Sequence, residues 1–156
     1  MTYRVLFVCL GNICRSPLSE AAFRIEAARI GLEAEADSAG TGGWHRGEPP
    51  DRRAIAAARR NGADISGLRA RQVQSKDFER FDHILALDGD NLAELLALRP
   101  AGSRARLSLL LDHVPGREGE GVADPYYGDD NDFDITWRDV TEGVRGLTDE
   151  LQREEA

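Results

Sequence analysis

The pattern of apolar and polar positions changes period repeatedly along this chain. The residues 3–9 carry the unbroken apolar run Val5, Leu6, Phe7 and Val8 before Cys9, as expected of a strand covered on both faces. A short loop with Gly11 and Asn12 follows. Ser16 and Pro17 then read as the N-cap and first residue of a helix whose apolar positions Leu18, Ala22, Ile25 and Ala28 recur at helical spacing until Gly31. Residues 35–39 are a weaker strand candidate, and 40–50 form a loop rich in glycine and proline. A helix is predicted over 51–61, ending at Gly62. Residues 83–87 read as a third strand, 90–98 as a helix carrying Leu92, Leu95 and Leu96 before Pro100, and 106–111 as a fourth strand. Beyond a long loop, 113–132, the positions Phe133, Trp137, Val140, Val144, Leu147 and Leu151 step by four and three, which marks a final amphipathic helix with Trp137 on its buried face. Strands alternating with helices predict an α/β fold, a doubly wound four-stranded parallel sheet flanked by helices on both faces. Ligands then bind beyond the carboxyl ends of the strands, where Cys9 stands.

At 156 residues, without repeat, linker or low-complexity segment, the chain suits a single domain over 1–156. Its formal net charge of -8 argues against a nucleic-acid partner held by many phosphate contacts. No basic segment leads into a signal-like apolar stretch and no apolar run approaches ~18 residues, so no membrane segment is expected and the cytoplasm is the default location. Secretion by an unconventional route would leave no mark. Cys9 and Cys14, the two cysteines, are neither a disulfide framework nor a zinc spacing, so reduced thiols and no metal are expected.

The loop between the first strand and the first helix carries the chemistry. In a tight turn running into a helix, successive amides can converge on one anion while the helix dipole adds positive charge. Residues 10–15 would form that nest, with Gly11 and Asn12 able to take left-handed conformations. The same field favours an ionised sulfur at Cys9, and Arg15 offers a planar fork for two phosphoryl oxygens. Alone, Cys9 reads as a buried strand cysteine and Arg15 as a surface residue of the first turn. Together with Ser16 and the intervening Gly-Asn they point to phosphate binding and attack. Other phosphate motifs are missing: there is no GxxxxGK[ST], and Gly40-Thr-Gly42-Gly43 lacks the third glycine of a dinucleotide fingerprint.

Expulsion of an aryloxide is eased by a carboxylic acid. Spacing alone does not choose among Asp124, Asp129, Asp130, Asp132 and Asp134, the last four of which read as a solvated acidic run leading into the final helix. A calcium loop starting at Asp130 is rejected, since Ile135 replaces the required glycine and Thr141 the required glutamate.

Cys9-Leu-Gly-Asn-Ile-Cys-Arg-Ser-Pro17, together with Asp37-Ser-Ala-Gly-Thr41, Trp44-His45, Ala70-Arg-Gln-Val73, Asp88 and Asp124-Pro-Tyr-Tyr-Gly-Asp-Asp130, resembles the low-molecular-weight protein tyrosine phosphatases over nearly the whole chain and in the same order. The resemblance implies hydrolysis of phosphotyrosine and small aryl phosphates through a cysteinyl-phosphate, without cofactor. By it Cys9 is the nucleophile, Arg15 and the loop of Leu10, Gly11, Asn12, Ile13, Cys14 and Ser16 bind the phosphoryl group, and Asp124 is the general acid and base. Tyr126 and Tyr127 would wall one side of the pocket, being themselves phosphorylated in some members, with Trp44 and His45 on the opposite rim. Asn12, Ser16 and Ser38 would hold the loop in shape, although Leu68 stands where a histidine commonly completes that network. Cys14 would be the redox partner of Cys9. The implied partners are phosphotyrosine proteins, among them a bacterial tyrosine kinase, and inorganic phosphate or other oxyanions in the loop. Neither nucleic acid nor membrane is implied. Related arsenate reductases need resolving cysteines after Cys14, and none follows; protein-arginine phosphatases typically carry threonine where Ile13 stands and lack the paired tyrosines. A noncatalytic phosphate-binding or redox-sensing module is the remaining alternative, against which stand Cys9, Arg15 and Asp124 together.

Overall fold

The computed structural model describes residues 2–155. Four parallel strands, β1 (Tyr3–Cys9), β2 (Ala34–Gly40), β3 (His83–Ala86) and β4 (Arg106–Leu109), form one sheet in the order β2-β1-β3-β4. The helices are α1 (Arg15–Ile30), α2 (Arg52–Arg60), α3 (Asp77–Arg80), α4 (Gly89–Leu98) and α5 (Asp130–Glu155), with a short 3-10 helix at Leu110–His113.

Alternation along β1 divides the core between the two faces. Val5, Phe7 and Cys9 pack with α1, α2 and α5 through residues such as Leu18, Phe23, Ala57 and Val144. Leu6 and Val8 face the other way, onto Phe78 of α3 and Leu95 of α4. This two-sided cover explains the unbroken apolar run. The chain leaves β1 for β2 on one side and returns to β3 on the other, so the strand order reverses beside the carboxyl end of β1.

Several boundaries differ from expectation. The first helix begins at Arg15, so Ser16 lies inside it and is not the N-cap; Cys14 takes that position without a side-chain capping bond. Ser16 instead turns its hydroxyl inward toward the sulfur of Cys9. Ile25 and Ala28 are exposed, whereas Phe23, Glu26 and Ala27 are buried, because α1 is wedged between the sheet and α5 rather than lying on one apolar stripe. The fourth strand stops at Leu109, α3 lies in a stretch with no predicted element, and α5 starts at Asp130. The acidic run forms its entry: Asp129 and Asp132 each accept the other's backbone N–H, and carboxylates suit the positive end of a helix. Trp137, expected in the core, is only half-buried and lines a surface groove with Arg60 and Arg138. Among the described residues no helix is long and apolar enough to cross a membrane.

Candidate active site

Residues 10–14 leave β1 and turn into α1 beneath a pocket lined by Cys9, Leu10, Gly11, Ile13, Cys14, Arg15, Trp44, His45, Asp124, Tyr126 and Tyr127. Among the described residues, the backbone amides of 11–15 donate to no protein acceptor. Asn12 alone among the described non-glycine residues has a left-handed backbone, φ 58°, a conformation that asparagine tolerates. Its side chain fixes the turn. Nδ2 donates to Ser16 Oγ at 2.8 Å and to Ser38 Oγ at 3.0 Å, and Oδ1 accepts the Arg71 amide at 3.0 Å. The end of β2 closes from behind: a Cβ on Gly40 would lie 2.8 Å from Leu10 O and 3.1 Å from the Asn12 nitrogen.

Cys9 is only 3% exposed, and what it exposes lines the pocket. Its Sγ lies 3.0 Å from Ser16 Oγ. Cys14 is also a free thiol; burial pushes it well above its ordinary value, with Asp51 and Cys9 adding to the effect.

Arg15, 3% exposed, is clamped before any ligand arrives. Nη1 donates to Asp88 Oδ2 at 2.6 Å and to Val122 O at 2.9 Å, while Nη2 stands 3.7 Å from Asp124 Oδ2. Burial opposes its charge, but Cys9, Asp88 and Asp124 outweigh burial and hold the guanidinium above its ordinary value. Asp88 also caps α4 by accepting the Asn91 amide at 2.8 Å, so the clamp rests on a rigid element.

Asp124 is partly exposed, and its Oδ1 accepts the Tyr126 amide at 3.1 Å. Asp129, Asp130, Asp132 and Asp134 do not line the pocket. Tyr126 and Tyr127 meet edge to face with centroids 5.0 Å apart, and Tyr127 is almost fully exposed. Arg53 ties this wall to α2, donating to Tyr126 O and Gly128 O and pairing with Asp51. Trp44, which also lines the pocket, is 73% exposed over Gly42, where a Cβ would collide with its ring. His45 lies against Gly11 with Nδ1 2.5 Å from Glu48. His83 and His113 lie outside the pocket, His113 holding Ser108 and Glu150. Ser38 does not line the pocket but supports Asn12 from behind and donates to Glu20 Oε1 at 2.8 Å.

Sequence reasoning missed Glu20, whose partner Arg24 four residues on reads as an ordinary surface pair. It also missed Arg53 and Arg71. Among the described residues no group of three or more His, Cys, Asp or Glu could hold a metal.

A family model described as low molecular weight phosphotyrosine protein phosphatase matches residues 4–156. The low molecular weight protein-tyrosine-phosphatase of Bacillus subtilis is 42% identical over 152 residues, covering 96% of each chain. A crystal structure of the protein tyrosine phosphatase from Entamoeba histolytica with Hepes in the active site superposes with a TM-score of 0.92 at 33% identity, covering 99% of each chain. A Drosophila arginine phosphatase superposes with a TM-score of 0.87 at 29% identity, covering 97% of this chain and 98% of its own. With the family model and these relatives matching along nearly its whole length, the chain belongs to the low molecular weight phosphotyrosine protein phosphatases.

Proposed function

We propose that this chain, as one catalytic domain over 1–156, hydrolyses phosphotyrosine in proteins and small aryl phosphates, without metal or cofactor. The observation that carries the reading is one pocket holding the Cys9 sulfur, the fixed Arg15 guanidinium and the unengaged amides of 11–15. In this scheme Cys9 sulfur attacks phosphorus, and the P–O bond to tyrosine breaks as Asp124 gives its proton to the leaving oxygen. Asp124 then takes a proton from water, which attacks the cysteinyl-phosphate and releases phosphate with the sulfur free again. Arg15 and the amides follow the phosphoryl oxygens through both steps. Trp44, His45, Tyr126 and Tyr127 grip the aromatic ring, which sets the depth a phosphate must reach.

The work is cytoplasmic in this reading, on phosphotyrosine proteins that include a bacterial tyrosine kinase, with inorganic phosphate or another oxyanion in the loop and no part for nucleic acid or membrane. Cys14 forms a reversible disulfide with Cys9 under oxidation. Phosphoarginine is the competing substrate, raised by the likeness to the Drosophila enzyme. Ile13 in the pocket and the paired tyrosines favour the aryl ester.

Steady-state hydrolysis with EDTA present tests the scheme. The wild-type chain should turn over p-nitrophenyl phosphate and a phosphotyrosine peptide and leave phosphoarginine largely intact, and Cys9→Ser should be inactive. Asp124→Ala should lose about 10²-fold or more in kcat on a poor leaving group and clearly less on a good one. Full activity of Cys9→Ser refutes the mechanism; equal losses on the two leaving groups reassign the acid.

A further inference from the structure

A line of buried side chains runs from the sulfur of Cys9 to a carboxylate that the proposed reaction does not use. Sγ lies 3.0 Å from Ser16 Oγ, and Asn12 Nδ2 donates to Ser16 Oγ at 2.8 Å and to Ser38 Oγ at 3.0 Å. Ser38 Oγ in turn donates to Glu20 Oε1 at 2.8 Å. Asn12, Ser16, Ser38 and Glu20 are all buried, so water does not interrupt the line.

Counting protons gives it a direction. The Arg71 amide, 3.0 Å from Oδ1, decides which end of the Asn12 amide is nitrogen, and Nδ2 has one hydrogen for each serine oxygen. A hydroxyl carries a single proton. The carboxylate takes that of Ser38, whose oxygen is then left only to accept from Asn12. Ser16 likewise receives from Asn12 and keeps its own proton for a further acceptor. The nearer candidate is Cys9 Sγ at 3.0 Å, against Ala39 O at 3.4 Å.

Stability does not account for the carboxylate. Burial pushes Glu20 up, against hydrogen bonds from Ser38 and Arg24, so keeping its ionised form out of water costs stability at neutral pH. Leu68, where the resemblance expects a histidine, packs half-buried against the apolar core and offers no polar atom. The line therefore ends on Glu20.

We propose that Glu20 is a positioning residue for Cys9: by accepting the Ser38 proton it leaves Ser38 only to accept from Asn12, which pins the amide that in turn holds Ser16 as a donor toward the sulfur. The proposal rests on Cys9 being the nucleophile. Two readouts separate it from the phosphatase reading, namely turnover of p-nitrophenyl phosphate and the rate of iodoacetamide alkylation of Cys9, followed by the mass of its peptide at one fixed pH. In Glu20→Ala, kcat should fall about tenfold with KM changed less than about twofold, and Cys9 alkylation should slow by a similar factor. Glu20→Gln keeps an acceptor oxygen and lets the exposed Arg24 turn to solvent, so it should recover to within about threefold of wild type on both readouts. Ser38→Ala cuts the line one link nearer the sulfur and should slow both readouts as Glu20→Ala does; it decides the matter if Glu20→Ala does not fold. Wild-type alkylation in Glu20→Ala or Ser38→Ala, or a Gln variant as impaired as Ala, overturns the proposal. Absence of wild-type turnover sinks the phosphatase reading instead and leaves alkylation to decide.

Discussion

Arg15 illustrates what a single residue must satisfy at once. One nitrogen is committed to Asp88 and Val122, which leaves the other to face the pocket from a fixed position. A lysine carries one compact ammonium and cannot hold that clamp and a phosphoryl oxygen together. Arg15→Lys should therefore lower kcat/KM for p-nitrophenyl phosphate by about 10²-fold or more while the variant stays folded by circular dichroism. A loss under about threefold would show the fork to be dispensable. The prominence of Cys9, Arg15 and Asn12 was legible in the sequence because each is unusual for its place: a thiol at a strand end, a cation at a helix start, an asparagine beside a glycine. Glu20 was not, since a glutamate four residues before an arginine is the commonest of surface pairs and only tertiary packing buries it.

At the level of elements, strands read better than helix faces. The apolar run of β1 needs nothing beyond its neighbours to be recognised, and the three-four stepping of α5 persists for many turns. The apolar spacing of α1 does not give its buried face, because the helix is enclosed on more than one side, so small and even charged residues are buried and a single stripe does not describe it. Ser16 has the chemistry of a cap, but its hydroxyl lies against the Cys9 sulfur instead. The approach of β2 to the loop before α1 gives an element-scale prediction. Gly40→Ala would press a methyl onto Leu10 O and Gly11 C, at 2.8 and 3.0 Å, so it should cost about 1–3 kcal/mol in urea unfolding and lower kcat as well. Gly67→Ala, with nothing within 4 Å, should be close to neutral in both assays. Equal behaviour of the two variants would mean that the loop yields freely.

For the whole molecule, pH reaches stability through a group far from the pocket. Burial pushes His83 down, and Arg106 and His113 act in the same sense against Glu154 and Asp82. The unfolded chain therefore takes up this proton first, near pH ~6.5, so the folded state loses stability as pH falls below that value toward the lower folded one. Urea midpoints should fall from about pH 7.5 to about pH 5, and His83→Gln should show a smaller fall. An identical fall in the variant would assign the dependence to other groups.

The reversal of strand order beside β1 has a further consequence. The pocket is assembled from 9–15 and 44–45, which the β1–β2 pair brings together, and from 124–127, which follows β4, with its supports at 38 within β2 and at 88 after β3. No excised fragment holds the whole set, so proteolysis that releases the segment carrying 9–15 or the one carrying 124–127 should extinguish turnover outright.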